Sequence, residues 1–202
     1  LDVAPVKLTN ALGKKVLLVE RFDRIAGTAK RRALVSALTI LELDELAARW
    51  ASYAELAQVI RERFTRPAQS LRELFARIVF NVLVGNTDDN ARNTSAFWDD
   101  EALSLTPAYD ICPQLRSGGE AVQAMIIGDD SDPFKLSQVA GCVQRAHLYQ
   151  VSKSEARDIV DRQIEVIERD WLEVCDRAQL PEAERNRFWR RQFLNPFALE
   201  GY

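Results

Sequence analysis

Leu71, Leu74, Phe75, Ile78, Val79, Val82 and Leu83 recur at alternating steps of three and four after Pro67. No other feature constrains the fold as tightly. At 3.6 residues per turn this spacing draws one continuous apolar stripe along a helix, and such a stripe must be covered by other elements. Gly85 follows directly and can stop the helix by taking a positive φ without a Cβ penalty. The chain then turns abruptly polar, so that "GNTDDNARN" sets Asp88, Asp89, Asn90 and Asn93 just beyond the end of a central, buried helix.

The flanking sequence supplies elements to pack around that helix. "VAPVKLTNALGKKVLLVERF" holds two apolar runs around the turn-forming Asn10 to Lys15, which predicts a hairpin leading into Phe22. Residues 33 to 49 read as helical. Ser52 stands three residues before Glu55, the capping-box spacing, and predicts a helix from about Tyr53 to Phe64. "TSAFW" and "LSLTP" flank Asp99-Asp100-Glu101 and predict a second hairpin whose far side delivers "AYDI", bringing Asp110 back toward Asp88 and Asn93. Residues 114 to 135, with Gly118-Gly119 and Gly128, read as loop and weak strand. Ser152 and Glu155 repeat the capping spacing ahead of a long stripe of Ala156, Ile159, Val160, Ile164, Ile167, Trp171 and Val174. The expected fold class is α+β, mainly α.

A chain of 202 residues suits one large domain or two small ones. Its net charge of -3 argues against a generally electropositive binder of nucleic acid or membrane. Cys112, Cys142 and Cys175 stand far apart beside one histidine, His147, which is neither a zinc pattern nor a disulfide framework and fits a reducing cytoplasm. No apolar run reaches the roughly 20 residues that span a bilayer. The chain opens Leu1-Asp2-Val3 without an initiator Met, which reads as a fragment or trimmed product.

Asp88 and Asn93 lie five apart, the spacing of the protein-kinase catalytic loop, in which the Asp orients a substrate hydroxyl and the Asn binds magnesium. Asp110 returns 17 residues later. Magnesium is a hard ion that takes one or two protein oxygens plus phosphate and water, so Asn93 and Asp110 could hold it while Asp88 faces the nucleophile. Asp and Asn also cap turns, which is the plain structural reading. A calcium loop is rejected, because Arg92 falls where an EF-hand needs an oxygen ligand and its glycine position is not Gly.

"FNVLVGNTDDNARN" followed by "LTPAYDI", with "VLLVERFDR" upstream and "VSALTILELDE" between them, resembles the HipA family of serine/threonine protein kinases, the toxins of bacterial toxin–antitoxin pairs. The likeness runs through the chain but covers only that family's C-terminal kinase portion. It implies a hairpin and interlobe hinge over residues 1–30 and a mainly helical kinase C-lobe over 31–202. By resemblance Asp88 is the catalytic carboxylate, Asn93 and Asp110 are magnesium ligands, and Glu20, Phe22 and Asp23 belong to the hinge that meets the adenine of ATP. Asn90 occupies a catalytic-loop position where the family commonly has His, and an amide cannot carry the charge or relay the proton that imidazole can. No glycine-rich phosphate loop and no strand Lys precede "VERFDR", so the N-terminal lobe is expected in cis or in trans. The resemblance further implies transfer of the ATP γ-phosphoryl group to a protein Ser or Thr, with an aminoacyl-tRNA synthetase as an acceptor and growth arrest or persistence as the outcome. It implies a HipB-like antitoxin as partner, DNA contact only through that antitoxin, and no membrane.

Two rival readings remain. One is a non-catalytic kinase-fold module that binds an antitoxin–DNA complex; the other is a metal phosphohydrolase using Asp88, Asp89 and Asp110. Outside the loop, "ERNRFWRRQF" mixes arginines with aromatics and reads as a packed terminal helix with a solvated basic face. His147 reads as structural, and Asp129, Asp130 and Asp132 as a solvated acidic loop.

Overall fold

Residues 1–115 and 119–202 are described by the computed structural model. The expected first hairpin is present as β1 (Val6–Ala11) and β2 (Lys14–Val19), paired antiparallel with Leu8 opposite Leu17. Leu12 and Gly13 form its turn with φ of 50° and 74°, the two-residue geometry whose twist matches that of the strands. Lys15 reaches from β2 to the carbonyls of Ala178 and Gln179, at 2.8 and 2.7 Å. The chain leaves β2 at Val19, and Glu20 to Asp23 follow as an irregular turn rather than a strand.

Residues 33–49 do not form the expected helix. They make a short strand β3 (Ala33–Ser36), one helical turn α1 (Ala37–Ile40), and a run of turns ending in a 3-10 helix at Ala48–Trp50. Tertiary pairing overrides the local composition: Leu34 sits opposite Phe97 and Ser36 opposite Ser95 in strand β4 (Ser95–Trp98). Ser36 then caps α1 by accepting from the Thr39 N–H. Helix α2 (Tyr53–Arg63) begins where expected, but Ser52 accepts from the Ala54 N–H at 3.0 Å and not from Glu55.

Helix α3 (Pro67–Val84) is the centre of the molecule, with all seven stripe residues fully buried. Pro67 opens it, where a missing N–H leaves no helical bond unmade. Around it pack α2, α4 (Val139–Gln144) and α5 (Lys153–Arg177), with Phe75 against Tyr149 at 5.7 Å. Gly85 ends the helix at φ 71°, as the sequence predicts. A second reason for glycine is close approach: a Cβ there would stand 2.7 Å from the Gln192 carbonyl oxygen. The clamp continues at Leu194, whose N–H donates to the Leu83 carbonyl at 2.7 Å.

β4 pairs with β5 (Leu103–Leu105) as expected, completing a sheet in the order β3-β4-β5. Beyond β5 the chain is stitched to the N-terminal segment, with Ala108 N–H donating to Asp2 and Ala4 N–H to Ala108. Between residues 119 and 135 it makes loops and isolated bridges such as Val122 with Leu136, while Gly118 lies outside the described residues. Ser152 caps α5 through the Glu155 N–H at 3.2 Å. The α5 stripe holds to Trp171, but Val174 is 52% exposed and its neighbour Cys175 takes the buried position. The expected terminal helix is shorter: α6 (Glu182–Phe188) stops before Trp189, and Arg190 turns at φ 61°. Trp189 and Phe193 gain more from stacking on Trp171, at 5.1 and 4.7 Å, than from extending a helical face. A last turn, α7 (Pro196–Leu199), closes the chain. Among the described residues no helix is long and apolar enough to cross a membrane.

Gly85→Ala combines positive φ with a backbone clash. It should lower the unfolding free energy by roughly 2 kcal/mol or more in urea titrations.

Candidate active site

The loop after Gly85 is built by amides. The Asp88 carbonyl accepts three bonds, from the Asn90 N–H at 2.9 Å, the Asn90 side-chain amide at 3.2 Å and the Asn93 side-chain amide at 3.2 Å. Asn90 also accepts from the Arg92 N–H, so both ends of its side chain are engaged within the loop. These bonds tie down the Asp88 main chain and leave its carboxylate exposed, with no hydrogen bond or ion pair among the described residues. Asn93 is half-buried, and donation by its nitrogen leaves its Oδ1 available to a ligand. Arg92 pairs with Glu45 at the rim.

Asp89 points the other way. It is 6% exposed, and its Oδ2 accepts both from the Tyr53 hydroxyl at the start of α2 and from Asn81 near the end of α3. Asn86 donates to Asn81 Oδ1 at 3.0 Å, and Gln123 donates to the Asn86 carbonyl at 3.2 Å. Burial pushes the Asp89 carboxyl up to about 6; Tyr53, Arg77 and Asn81 work against that rise, and the charge of Asp110 adds to it. Burial first, then the charge of Asp89, drives the Tyr53 hydroxyl far above its ordinary range. Arg77, one helical turn before Asn81, is buried and donates to the Thr106 carbonyl at 2.9 Å while pairing with Glu73.

Asp110 returns through Tyr109. The Tyr109 hydroxyl donates to the Arg92 carbonyl at 2.7 Å and meets Ser95 Oγ at 2.6 Å, which ties the returning strand to the residue before Asn93. Tyr53, Asn81, Asp89, Asn93, Tyr109 and Ile111 line one crevice of about 10 Å³, room for about one water. Asp110 lies between two of them, at φ 56°, exposed, and without a hydrogen bond or ion pair among the described residues. No three His, Cys, Asp or Glu side chains converge among the described residues. Because Asp89 is turned into the protein, a three-carboxylate phosphohydrolase centre is not assembled.

On the other side of Tyr109 lies an open cleft of about 320 Å³, lined by Val19, Glu20, Phe22, Asp23, Leu34 and Tyr109, at the lower end of ligand-sized sites. The Phe22 ring rests on Tyr109 at 5.6 Å and on Phe97 at 5.9 Å. Glu20 donates its N–H to the Pro5 carbonyl at 2.9 Å, which fixes the main chain at the edge of the cleft. Asp23 accepts two bonds from Arg21, which hold its carboxyl below the usual range, so it orders the segment.

The model of the HipA-like C-terminal domain matches residues 1–171. The chain belongs to that family. This HipA-like domain is also 30% identical over 118 residues to the Sinorhizobium fredii (strain NBRC 101917 / NGR234) protein named "Putative kinase Y4mE", covering 55% of this chain and 28% of that one. Its fold matches a solved chain from the complex of the Shewanella oneidensis MR-1 toxin–antitoxin system HipA, HipB and its operator DNA, with a TM-score of 0.74 and 21% identity. That match covers 98% of this chain and 54% of the solved one, so the domain spans about half of the latter.

Tyr53, Arg77, Asn81 and Tyr109 escaped the sequence reading. A signal existed on α3: Glu73, Arg77 and Asn81 step by four, and from residue 74 to 84 Arg77 and Asn81 alone are polar.

Because the folded Asp89 pKa lies above its unfolded value, the neutral form is favoured by folding. Its contribution is complete below about pH 4 and is lost as pH rises through about 6, a span of roughly 3 kcal/mol. Unfolding free energies measured from pH 4 to 7.5 should therefore fall more steeply in the parent than in Asp89→Asn, which has no charge to bury.

Proposed function

We propose that this domain is the catalytic lobe of a magnesium-dependent kinase that transfers the γ-phosphoryl group of ATP to a protein Ser or Thr. The observation that carries the reading is the placement of Tyr109. Its hydroxyl holds the Asp88–Asn93 loop, its neighbour is Asp110, and its ring walls the Glu20–Asp23 cleft. A nucleotide with its base in that cleft would have its phosphates directed toward Asn93 and Asp110.

The donor set fits magnesium. Asn93 offers an amide oxygen and Asp110 a carboxylate, both hard and few enough to leave positions for phosphate and water. When bound, the ion would neutralise phosphate charge. Asp88 is assigned to orient and deprotonate the acceptor hydroxyl, a role suited to an exposed carboxylate on a fixed main chain. The Glu20 carbonyl and Phe22 N–H are assigned to the adenine edge, and Asn90 to the shape of the loop. The glycine-rich loop and strand Lys of a complete kinase would come from a further lobe.

Resemblance to the family supports an aminoacyl-tRNA synthetase as an acceptor and a HipB-like antitoxin as the partner through which DNA is met. The three cysteines are all free, in keeping with a cytoplasmic setting. One observation favours the non-catalytic reading instead: both ends of the Asn90 amide are consumed inside the loop, so no side chain at that position reaches toward phosphate.

Incubation of the intact gene product with γ-labelled ATP, magnesium and casein decides between them. The parent should label itself or casein, and Asp88→Asn should lose about 100-fold or more of the rate. Transfer by Asp88→Asn at the parent rate would remove Asp88 from its role, and tight ATP binding with no transfer by the parent would establish the non-catalytic module.

A further inference from the structure

We infer that Asp89 is the positioning residue of the catalytic loop: its buried carboxylate, gripped by Tyr53 and Asn81, sets where the adjacent Asp88 presents its own. The inference rests on the kinase reading of Asp88. Two neighbouring carboxylates have opposite environments, one open to solvent and one 6% exposed. Burying a carboxylate is costly, and an apolar residue would fill the same space at less cost, so the hydrogen bonds are the reason to keep it.

The carboxylate is gripped from two sides. Tyr53 comes from the first turn of α2 and Asn81 from the last turns of α3, and both converge on the single atom Oδ2. The Tyr53 hydroxyl also lies 3.3 Å from the Asp89 carbonyl, so it holds main chain and side chain together. Asn81 cannot reverse its amide, because Asn86 donates to its oxygen from the other side. Gln123 fixes Asn86 in turn. The residue after Asp88 is thereby anchored to two helices, while the Asp88 carbonyl is clamped by Asn90 and Asn93. The Asp88 side chain makes no hydrogen bond among the described residues.

Since both donors meet one oxygen, an Asn at position 89 can satisfy them with its amide oxygen, whereas Ala cannot. In the intact gene product, with γ-labelled ATP, magnesium and casein, Asp89→Ala should lower kcat about 100-fold with KM for ATP within about twofold. Tyr53→Phe, which keeps the ring and drops the hydroxyl that meets both Asp89 Oδ2 and the Asp89 carbonyl, should lower kcat about tenfold and guards against a fold lost in Asp89→Ala. Asp89→Asn should recover most of the loss. Hydrogen exchange of the amides from 86 to 94, corrected for global stability, should quicken in Asp89→Ala and return to the parent rate in Asp89→Asn. An Asp89→Asn no better than Asp89→Ala, or parent-like kcat and exchange in both Asp89→Ala and Tyr53→Phe, would overturn the inference. A parent that transfers no phosphate would defeat the kinase reading alone, and the exchange rates would then decide whether Asp89 positions the loop.

Discussion

The rest of the structure depends on a polar line sunk into an apolar helix. Glu73, Arg77 and Asn81 follow one another at four-residue steps along α3, beside a stripe that is otherwise sealed from water. Arg77 takes the Thr106 carbonyl and Asn81 takes Asp89, so one rigid element holds both the loop and the strand that returns from it. Removing Arg77 would leave the Thr106 carbonyl buried without that donor, a loss of roughly 1–3 kcal/mol. The helix therefore does more than supply a core: it fixes the separation of the two chain segments whose oxygens face outward.

Tyr109 makes the second connection. Its hydroxyl reads the backbone of the loop at Arg92, and its ring carries Phe22, which lies in the turn between β2 and β3. An aromatic ring with a polar tip is suited to that task, since one end can pack against another ring while the other makes hydrogen bonds. The cleft beside Glu20 to Asp23 and the polar loop are in this way joined through one side chain. Arg32 stacked over Phe97 at 3.2 Å supports the far side of the same aromatic group.

The periodic parts of the molecule were legible in the sequence. The α3 stripe, the stop at Gly85, both hairpins and the Ser152 cap each follow from local rules that tertiary contacts reinforce. Residues 33–49 were not legible, because a strand as short as β3 exists only by pairing with β4, sixty residues away in the chain, and its Ala and Leu content favours a helix when taken alone. The arrangement of the C-terminal aromatics was not legible for a similar reason: Trp171 recruits Trp189 and Phe193 by stacking, and stacking partners have no fixed spacing. Within the loop, the adjacency of Asp88 and Asp89 hid the fact that one faces solvent and the other a tyrosine. Burial at that scale is decided by Tyr53, which lies too far upstream for any motif to include.

Asp110 holds a left-handed backbone, a conformation that glycine and asparagine accept readily and bulkier side chains resist. The replacements that preserve the bend are thus the ones that discard the negative charge. A descendant that lost the carboxylate could keep its shape intact, and the vanished charge would leave no scar in the fold.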